Sequence, residues 1–384
     1  MKIGKILAVA AVATVFASCS NEEELANVGK SESNAIRFAG ISGLSDTRTT
    51  PIGTSNLTST NFDVMAFMSS DNALFMGGKH VSGVSDHGVK IVCKTSAWDY
   101  ADPDQMAYWP TEGDVDFYAV SPAISNDLVL DNGFAYDMTS VAKTISYRMV
   151  DEYNTTGTNH DVMFAVAKGR NKVNNGTNAV QMNFKHILSQ VVFKAKTASS
   201  ILEVDVENVK IHNFVQSGVF TLPAGEPAEK EPTMSNWSTS PDKAVFTATV
   251  KLNAANVKTN NAVVELSDMN SPLMMIPQKL TKWSTSTGAA VSKHVADTKK
   301  ECYLEISMKL KQNDSYLIGS ATEYKTVYVP FDNGTGWEPG KRYIYTLIFG
   351  GGYDDQGEPI LSPIKFEAAT VDWANASAGA DVNF

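Results

Sequence analysis

"VQMNFKHILSQVVFKAK", residues 180–196, decides the fold class. Val180, Met182 and Phe184 alternate with Gln181, Asn183 and Lys185, and Val191, Phe193 and Ala195 keep the same spacing. Successive side chains of a strand point to opposite faces, so a period of two puts one face in a core and the other toward water. The spacing recurs at Leu202/Val204/Val206, Phe246/Ala248/Val250/Leu252 and Leu304/Ile306/Met308/Leu310, and earlier in "AIRFAGIS" (35–42), with apolar residues at Ile36, Phe38 and Ile41. Asp131-Asn132-Gly133, Asn174-Asn175-Gly176 and Asp332-Asn333-Gly334 supply turns between such runs. Helical periodicity never persists beyond about two turns. The chain reads as all-β, built from paired sheets.

Working outward, 384 residues suffice for one large domain or two. "KAKTASS" (194–200), between two apolar runs, is the best boundary, while "PAGEPAEKEPTMSNWSTSPD" (223–242) reads as a long surface loop. With 43% hydrophobic and 19% charged residues the chain is globular. A net charge of −10 without a basic patch argues against nucleic acid as a partner, since that affinity rests on cationic neutralisation of phosphates.

The N-terminus carries Lys2 and Lys5, then twelve uncharged residues from Ile6 to Ala17, then Ser18 and Cys19. A membrane-spanning helix needs about 20 apolar residues, so this run is too short and reads as a secretory signal. Two cuts are open: one near Ala17 with an incidental cysteine, and one before Cys19. The segment resembles a bacterial lipoprotein box, which implies the second, with lipid on the Cys19 sulfur. "SNEEE" (20–24) is similar to the tag that sends lipoproteins of some Gram-negative bacteria to the outer face. Cys93 and Cys302 remain, far apart in the chain, as a disulfide or as two buried thiols.

Chemistry is sparse. His80, His87, His160, His186, His212 and His294 are scattered, with no HExxH pair to ligate a metal. Ser85-Asp86-His87 are neighbours on one stretch, whereas a hydrolytic triad converges from separate segments. His186 reads as a satisfied structural histidine. "FGGGYDDQGEP" (349–359) lacks the lysine of a phosphate loop, and Asp354, Asp355 and Glu358 do not match an EF-hand, so a wide hairpin loop is expected. Asp99/Asp102/Asp104 and Asp114/Asp116 read as solvated loop acids. The sequence predicts no catalytic residue, no metal and no cofactor.

A set of phrases, in order along the chain, carries a more specific signal: "AIRFAGISGLSDTRTT" (35–50), "AYWPTEGDVDFYAVSP" (107–122), "DVMFAVAKG" (161–169), "VQMNFKHILSQVVFKAK" (180–196), "LMMIPQ" (273–278), "WEPGKRYIYTLIF" (337–349) and "FEAATVDW" (366–373). Together they resemble the fimbrillin family, the donor-strand pilins and related surface lipoproteins of anaerobic Gram-negative bacteria. The resemblance implies two tandem transthyretin-like β-sandwich domains. The expected divisions are a lipoprotein signal peptide (1–18), a lipidated propeptide with the first strand (19–48), an N-terminal domain (49–195) and a C-terminal domain with the donor region (196–384).

It further implies that a trypsin-like surface protease cuts after an arginine behind the first strand. Arg48, followed by Thr49, fits: its neighbours are small and polar, Pro51 blocks strand continuation, and such loops are where proteases cut. An uncut, ordinary exposed Arg48 is the alternative. Removing the strand with Ile36, Phe38 and Ile41 leaves a sheet edge without its partner, which another subunit can fill by β-augmentation. By resemblance the donor lies in the C-terminal region, with Ile364, Phe366, Val371 and Trp373 as candidates. The expected partners are other copies or related pilin subunits, the protease, and the outer membrane through lipid before processing. The expected location is the cell surface, then the pilus. Two rivals stand beside this: an unprocessed lipoprotein serving as anchor, tip or adhesin, and a surface glycan-binding protein using Trp98, Trp109, Trp237, Trp283 or Trp337 as stacking faces.

Overall fold

The structure is a computed structural model that describes residues 34–42, 60–77, 88–94, 97–124, 133–139, 141–150, 159–176, 178–226, 230–239, 245–254, 257–269, 271–284, 292–353, 357, 359–361 and 364–372. The strand reading holds along this length. Alternation in the sequence becomes strands at each of the runs quoted above, and the longest described helix is Lys293–Lys299, two turns. No described helix is long and apolar enough to cross a membrane.

Four sheets form. The first contains β1 (Phe38–Ser42), β2 (Phe62–Met68), β3 (Leu74–Met76), β4 (Val89–Lys94), β5 (Ala97–Tyr100), β6 (Val115–Ser121), β9 (Met163–Arg170) and β10 (Val180–His186). Its order is β1-β10-β9-β6-β2-β4-β5, with β3 on β2. A small sheet, in the order β14-β13-β8-β7, covers it with β7 (Phe134–Asp137), β8 (Thr144–Arg148), β13 (Ser217–Thr221) and β14 (Trp237–Thr239).

A third sheet is ordered β17-β11-β22-β25, with β18 on β11: β11 (Ser189–Thr197), β17 (Val264–Glu265), β18 (Leu273–Met275), β22 (Lys341–Phe349) and β25 (Lys365–Asp372). The fourth runs β15-β12-β19-β21-β23-β24, with β16 on β12 and β20 on β19. Its strands are β12 (Leu202–Val215), β15 (Val245–Thr249), β16 (Val257–Thr259), β19 (Tyr303–Gln312), β20 (Ser315–Ile318), β21 (Lys325–Pro330), β23 (Gly351–Tyr353) and β24 (Pro359–Leu361).

Two large cores, and a small third cluster of Trp283, Ala296 and Tyr303, follow from the burial pattern of the described residues. One is the inner face of the first sheet, which carries Ile36, Phe38, Phe62, Val64, Phe117, Trp109, Met182 and Phe184 from strands at both of its ends. The other is continuous, from the outer face of that sheet (Met65, Phe67, Tyr118, Phe164) through the small sheet to the facing third and fourth sheets. Rings mark the joints: Phe164 meets Phe220 at 5.3 Å, and Phe193 meets Phe331 at 5.8 Å. Because the first sheet is covered on both faces, β2 and β6 are apolar on both, and Tyr118 and Val120 are buried as well as Val115 and Phe117 on the opposite face.

One local reading changes and another holds. The segment 223–242 is more than a loop: it contains β14, whose Trp237 is buried against Phe220 at 5.5 Å and donates its indole N–H to the Ile187 carbonyl at 2.8 Å. One buried tryptophan with a satisfied N–H anchors a stretch whose composition is otherwise that of a surface loop. The glycine-rich "FGGGYDDQGEP" is a hairpin as expected, with β23 paired to β24.

Candidate assembly site

β1 lies at one end of the first sheet and is held on two sides. Toward the chain start, Ala35 bridges antiparallel to Tyr108: Ile36 donates its backbone N–H to the Ala107 carbonyl at 2.9 Å, and Trp109 donates to the Asn34 carbonyl at 3.0 Å. The segment then switches partner. Val180 donates to the Arg37 carbonyl at 2.7 Å, and β1 runs parallel to β10 from Phe38 opposite Val180 to Ser42 opposite Phe184.

Side chains join β1 to β5, the strand at the far end of the same sheet. Arg37 Nη1 lies 3.1 Å from Asp99 Oδ1. The buried Tyr100 hydroxyl donates to the Ile36 carbonyl at 3.0 Å and accepts from the Ala107 N–H at 3.3 Å. Burial pushes the Tyr100 phenol up to about 12, so it stays a donor at physiological pH. The sheet is thus rolled until its two ends meet, with β1 at the seam.

Ile36 is 0% and Phe38 3% exposed. The Phe38 ring sits edge-on between Tyr100 (6.0 Å) and Phe117 (5.6 Å). Full burial of such side chains stabilises by about 2 kcal/mol each, so the seat of β1 is an apolar cleft whenever β1 is absent. Ile41 belongs to β1 through its backbone, opposite Asn183.

At the other end of the chain, β25 is an edge strand. It pairs antiparallel with β22, from Ile348 opposite Lys365 to Lys341 opposite Asp372. Ile364 just before it is buried in the large core, Val371 is half-buried, and Phe366 contributes its backbone opposite Leu347. Lys196 holds Glu367 at 2.9 Å, and Lys341 contacts Asp372. Cys19, Arg48, Thr49 and Trp373 lie outside the described residues, as do Ser85, Asp86 and His87.

Several other polar groups have structural partners. His186 Nδ1 is 2.9 Å from Asp161 Oδ1. Asp99 is held by Arg37 and Lys94, and Asp116 accepts from Ser69 and from the Gly169 N–H. Thr247, His212 and Glu305 line up at 2.9 and 3.1 Å, in the order of a hydrolytic triad. They are cross-strand neighbours on β15, β12 and β19, with His212 stacked flat on Tyr303 at 4.7 Å, which is the geometry of a sheet surface rather than of converging loops. The five tryptophans considered as stacking faces are all buried. Cys302 is buried and Cys93 half-buried, and both are free thiols. Among the described residues no cluster of His, Cys, Asp and Glu could hold a metal ion.

The described residues form a β protein of rolled and paired sheets, whose first described strand is seated at a seam and whose last described strand lies at an edge. The fimbrillin-like family profile matches residues 47–373, and the chain belongs to that family of the cell surface. The fold is shared with a fimbrial protein from Bacteroides vulgatus, at a TM-score of 0.57 and 16% identity over 88% of this chain and 99% of that one. A candidate cell-adhesion protein from Bacteroides uniformis aligns at TM-score 0.46 and 12% identity over 88% and 98%. The tip fimbrial protein Mfa3 from Porphyromonas gingivalis aligns at 0.37 and 11% over 82% and 94%. No curated protein sequence matches.

Proposed function

We propose that this chain is a structural pilus subunit, exported as a lipoprotein on Cys19, cut by a trypsin-like protease between Arg48 and Thr49, and polymerised by strand exchange. The observation that carries the reading is the seating of β1. It precedes the proposed cut in the chain, carries the buried Ile36 and Phe38, and among the described strands pairs with β10 alone. Its loss leaves backbone donors, acceptors and apolar walls without partners, a state that favours capture of an extended segment. Insertion of one copy's C-terminal segment into the next is heterologous and does not close on itself, so it propagates as a fibre.

The division near residue 195 into two transthyretin-like units belongs to this proposal. It is supported by the two facing pairs of sheets, while β13 and β14 return from beyond residue 195 to complete the small sheet beside β7 and β8. A chain that kept β1 would serve instead as anchor, tip or adhesin, and the side-chain bonds that tie the entry of β1 to β5, from Tyr100 to Ile36 and from Arg37 to Asp99, favour that second reading.

Trypsin-type treatment of the purified protein, followed by electron microscopy, tests the first. Filaments from the wild type and none from Arg48→Ala are expected, with Thr49 as the new N-terminus. A product that still begins at Cys19 on cells, with no filaments, overturns it in favour of the second.

A further inference from the structure

A cleft of about 400 Å³ opens where the end of β12, β14 of the small sheet, the segment after β18 and the end of the helix Lys293–Lys299 meet. Its shape begins in the backbone. The pairing of β12 with β15 slips between His212 and Phe214, and Asn213 at that bulge has a φ of +65°, the left-handed region that asparagine tolerates. Pairing with β19 stops at His212, and Val215 exchanges two bonds with a side chain instead. Its N–H donates to Gln278 Oε1 at 2.8 Å, and its carbonyl accepts from Gln278 Nε2 at 3.0 Å. Gln278 is buried, so these bonds hold the wall 277–281 against the strand.

The lining combines three chemistries. Phe214, Met234, Pro277 and Leu280 supply carbon, and the buried Trp237 closes the back, where its ring contacts Phe220. Lys279, Lys299 and Lys300 supply cations, and no carboxylate is among the lining residues, in a chain whose net charge is −10. Lys279 and Lys299 are exposed and make no ion pair among the described residues. The third chemistry is a free acceptor. Asn213 is 9% exposed and gives away both amide hydrogens, to Asp297 Oδ1 at 2.9 Å and to the Glu301 carbonyl at 2.8 Å. Its Oδ1 accepts from none of the described residues.

We propose that this cleft binds a carboxylated sugar of an acidic glycan, a uronate or a sialate, with its carboxylate toward the lysines and a ring hydroxyl donating to Asn213 Oδ1. Inorganic phosphate would use the lysines alone. A fatty acid would use the lysines and the carbon walls, but it brings no O–H to Asn213. A sugar acid brings a carboxylate, C–H faces and hydroxyl donors together, so each part of the lining meets its complement. The volume lies within the range of about 300 to 1,000 Å³ usual for small-molecule sites. Because the lysines stand in solvent, their attraction is screened by salt. The cleft uses neither β1 nor β25, and the inference does not rest on strand exchange.

Titration calorimetry of the full-length chain at low salt tests it, with a hyaluronan tetrasaccharide and 3′-sialyllactose as acidic probes and lactose, inorganic phosphate and octanoate beside them. At least one acidic saccharide is expected to bind, more weakly as salt is raised, and the other three probes to bind about tenfold more weakly or not at all. Lys279→Ala with Lys299→Ala should leave the melting temperature unchanged, since both side chains are exposed, and weaken the acidic saccharide about tenfold. Lys279→Glu alone, read the same way, is the second variant. No heat from either acidic saccharide overturns the site, as does undiminished binding by both variants. Phosphate or octanoate binding as tightly as the sugars, and weakened by the same substitutions, overturns the ligand class in favour of a simple anion or a lipid.

Discussion

The hydroxyl of Tyr100 donates to the backbone carbonyl of Ile36 across 3.0 Å, and that bond ties the last strand of a seven-strand path to the segment entering its first. It is a side chain standing in for a ladder bond. The sheet therefore closes at a point rather than along a full strand, which leaves β1 bonded continuously to β10 alone.

Tyr100→Phe keeps the ring against Phe38 and removes the hydroxyl that donates to Ile36 and accepts from the Ala107 N–H. The buried Ile36 carbonyl then lacks a partner, at a cost of about 1 to 3 kcal/mol. Urea denaturation should show a lower midpoint with an unchanged slope. Unaltered stability would mean that the bond contributes nothing to holding β1.

Phe38→Ala empties the space between Tyr100 and Phe117. Truncation of a buried phenylalanine costs about 3 to 5 kcal/mol. The same denaturation measurement checks it. An effect below 1 kcal/mol would show that the cleft collapses without its strand, and would remove the reason for a neighbour to fill it.

Asp63 is buried on β2, where its Oδ2 accepts from the Ile124 N–H and the Tyr136 hydroxyl, each at 2.9 Å. Burial raises its carboxyl to about 7 despite these bonds and nearby Lys90. The folded state therefore holds a proton that the unfolded state has lost above about 4. Stability should fall as pH rises from about 4 to about 7 and level off beyond. Asp63→Asn, which keeps an acceptor oxygen, should flatten this slope in thermal melts taken across the range.

Glu305 has the opposite sign. Its bond to His212, aided by Lys210, holds its carboxyl down at about 2. The stability this contributes is fully present above the ordinary glutamate range near 4.5 and is lost as pH falls toward 2. Glu305→Gln should be less stable than wild type at pH 7, with the gap closing near pH 2. A gap independent of pH would point to packing instead of charge.

Much of this was legible beforehand because strand periodicity is a local property. The alternation at 180–186, 189–197 and 304–310 became β10, β11 and β19 at those places. The buried pair Ile36 and Phe38 also stood out, as apolar residues two apart. Neither Asp99 nor Tyr100 carried any sign of its role, and Asp99 read as one more loop acid. Their partners are 62 and 64 residues away in the chain.

Sequence by itself determined that this is a β protein, which positions of its alternating strands are apolar, and, through its ordered phrases, the family. Tertiary structure alone decided that β1 closes a rolled sheet and that β25 sits at an edge. The reason is that periodicity records how each side chain divides between oil and water, whereas strand order is written in backbone N–H and carbonyl groups that nearly every residue shares.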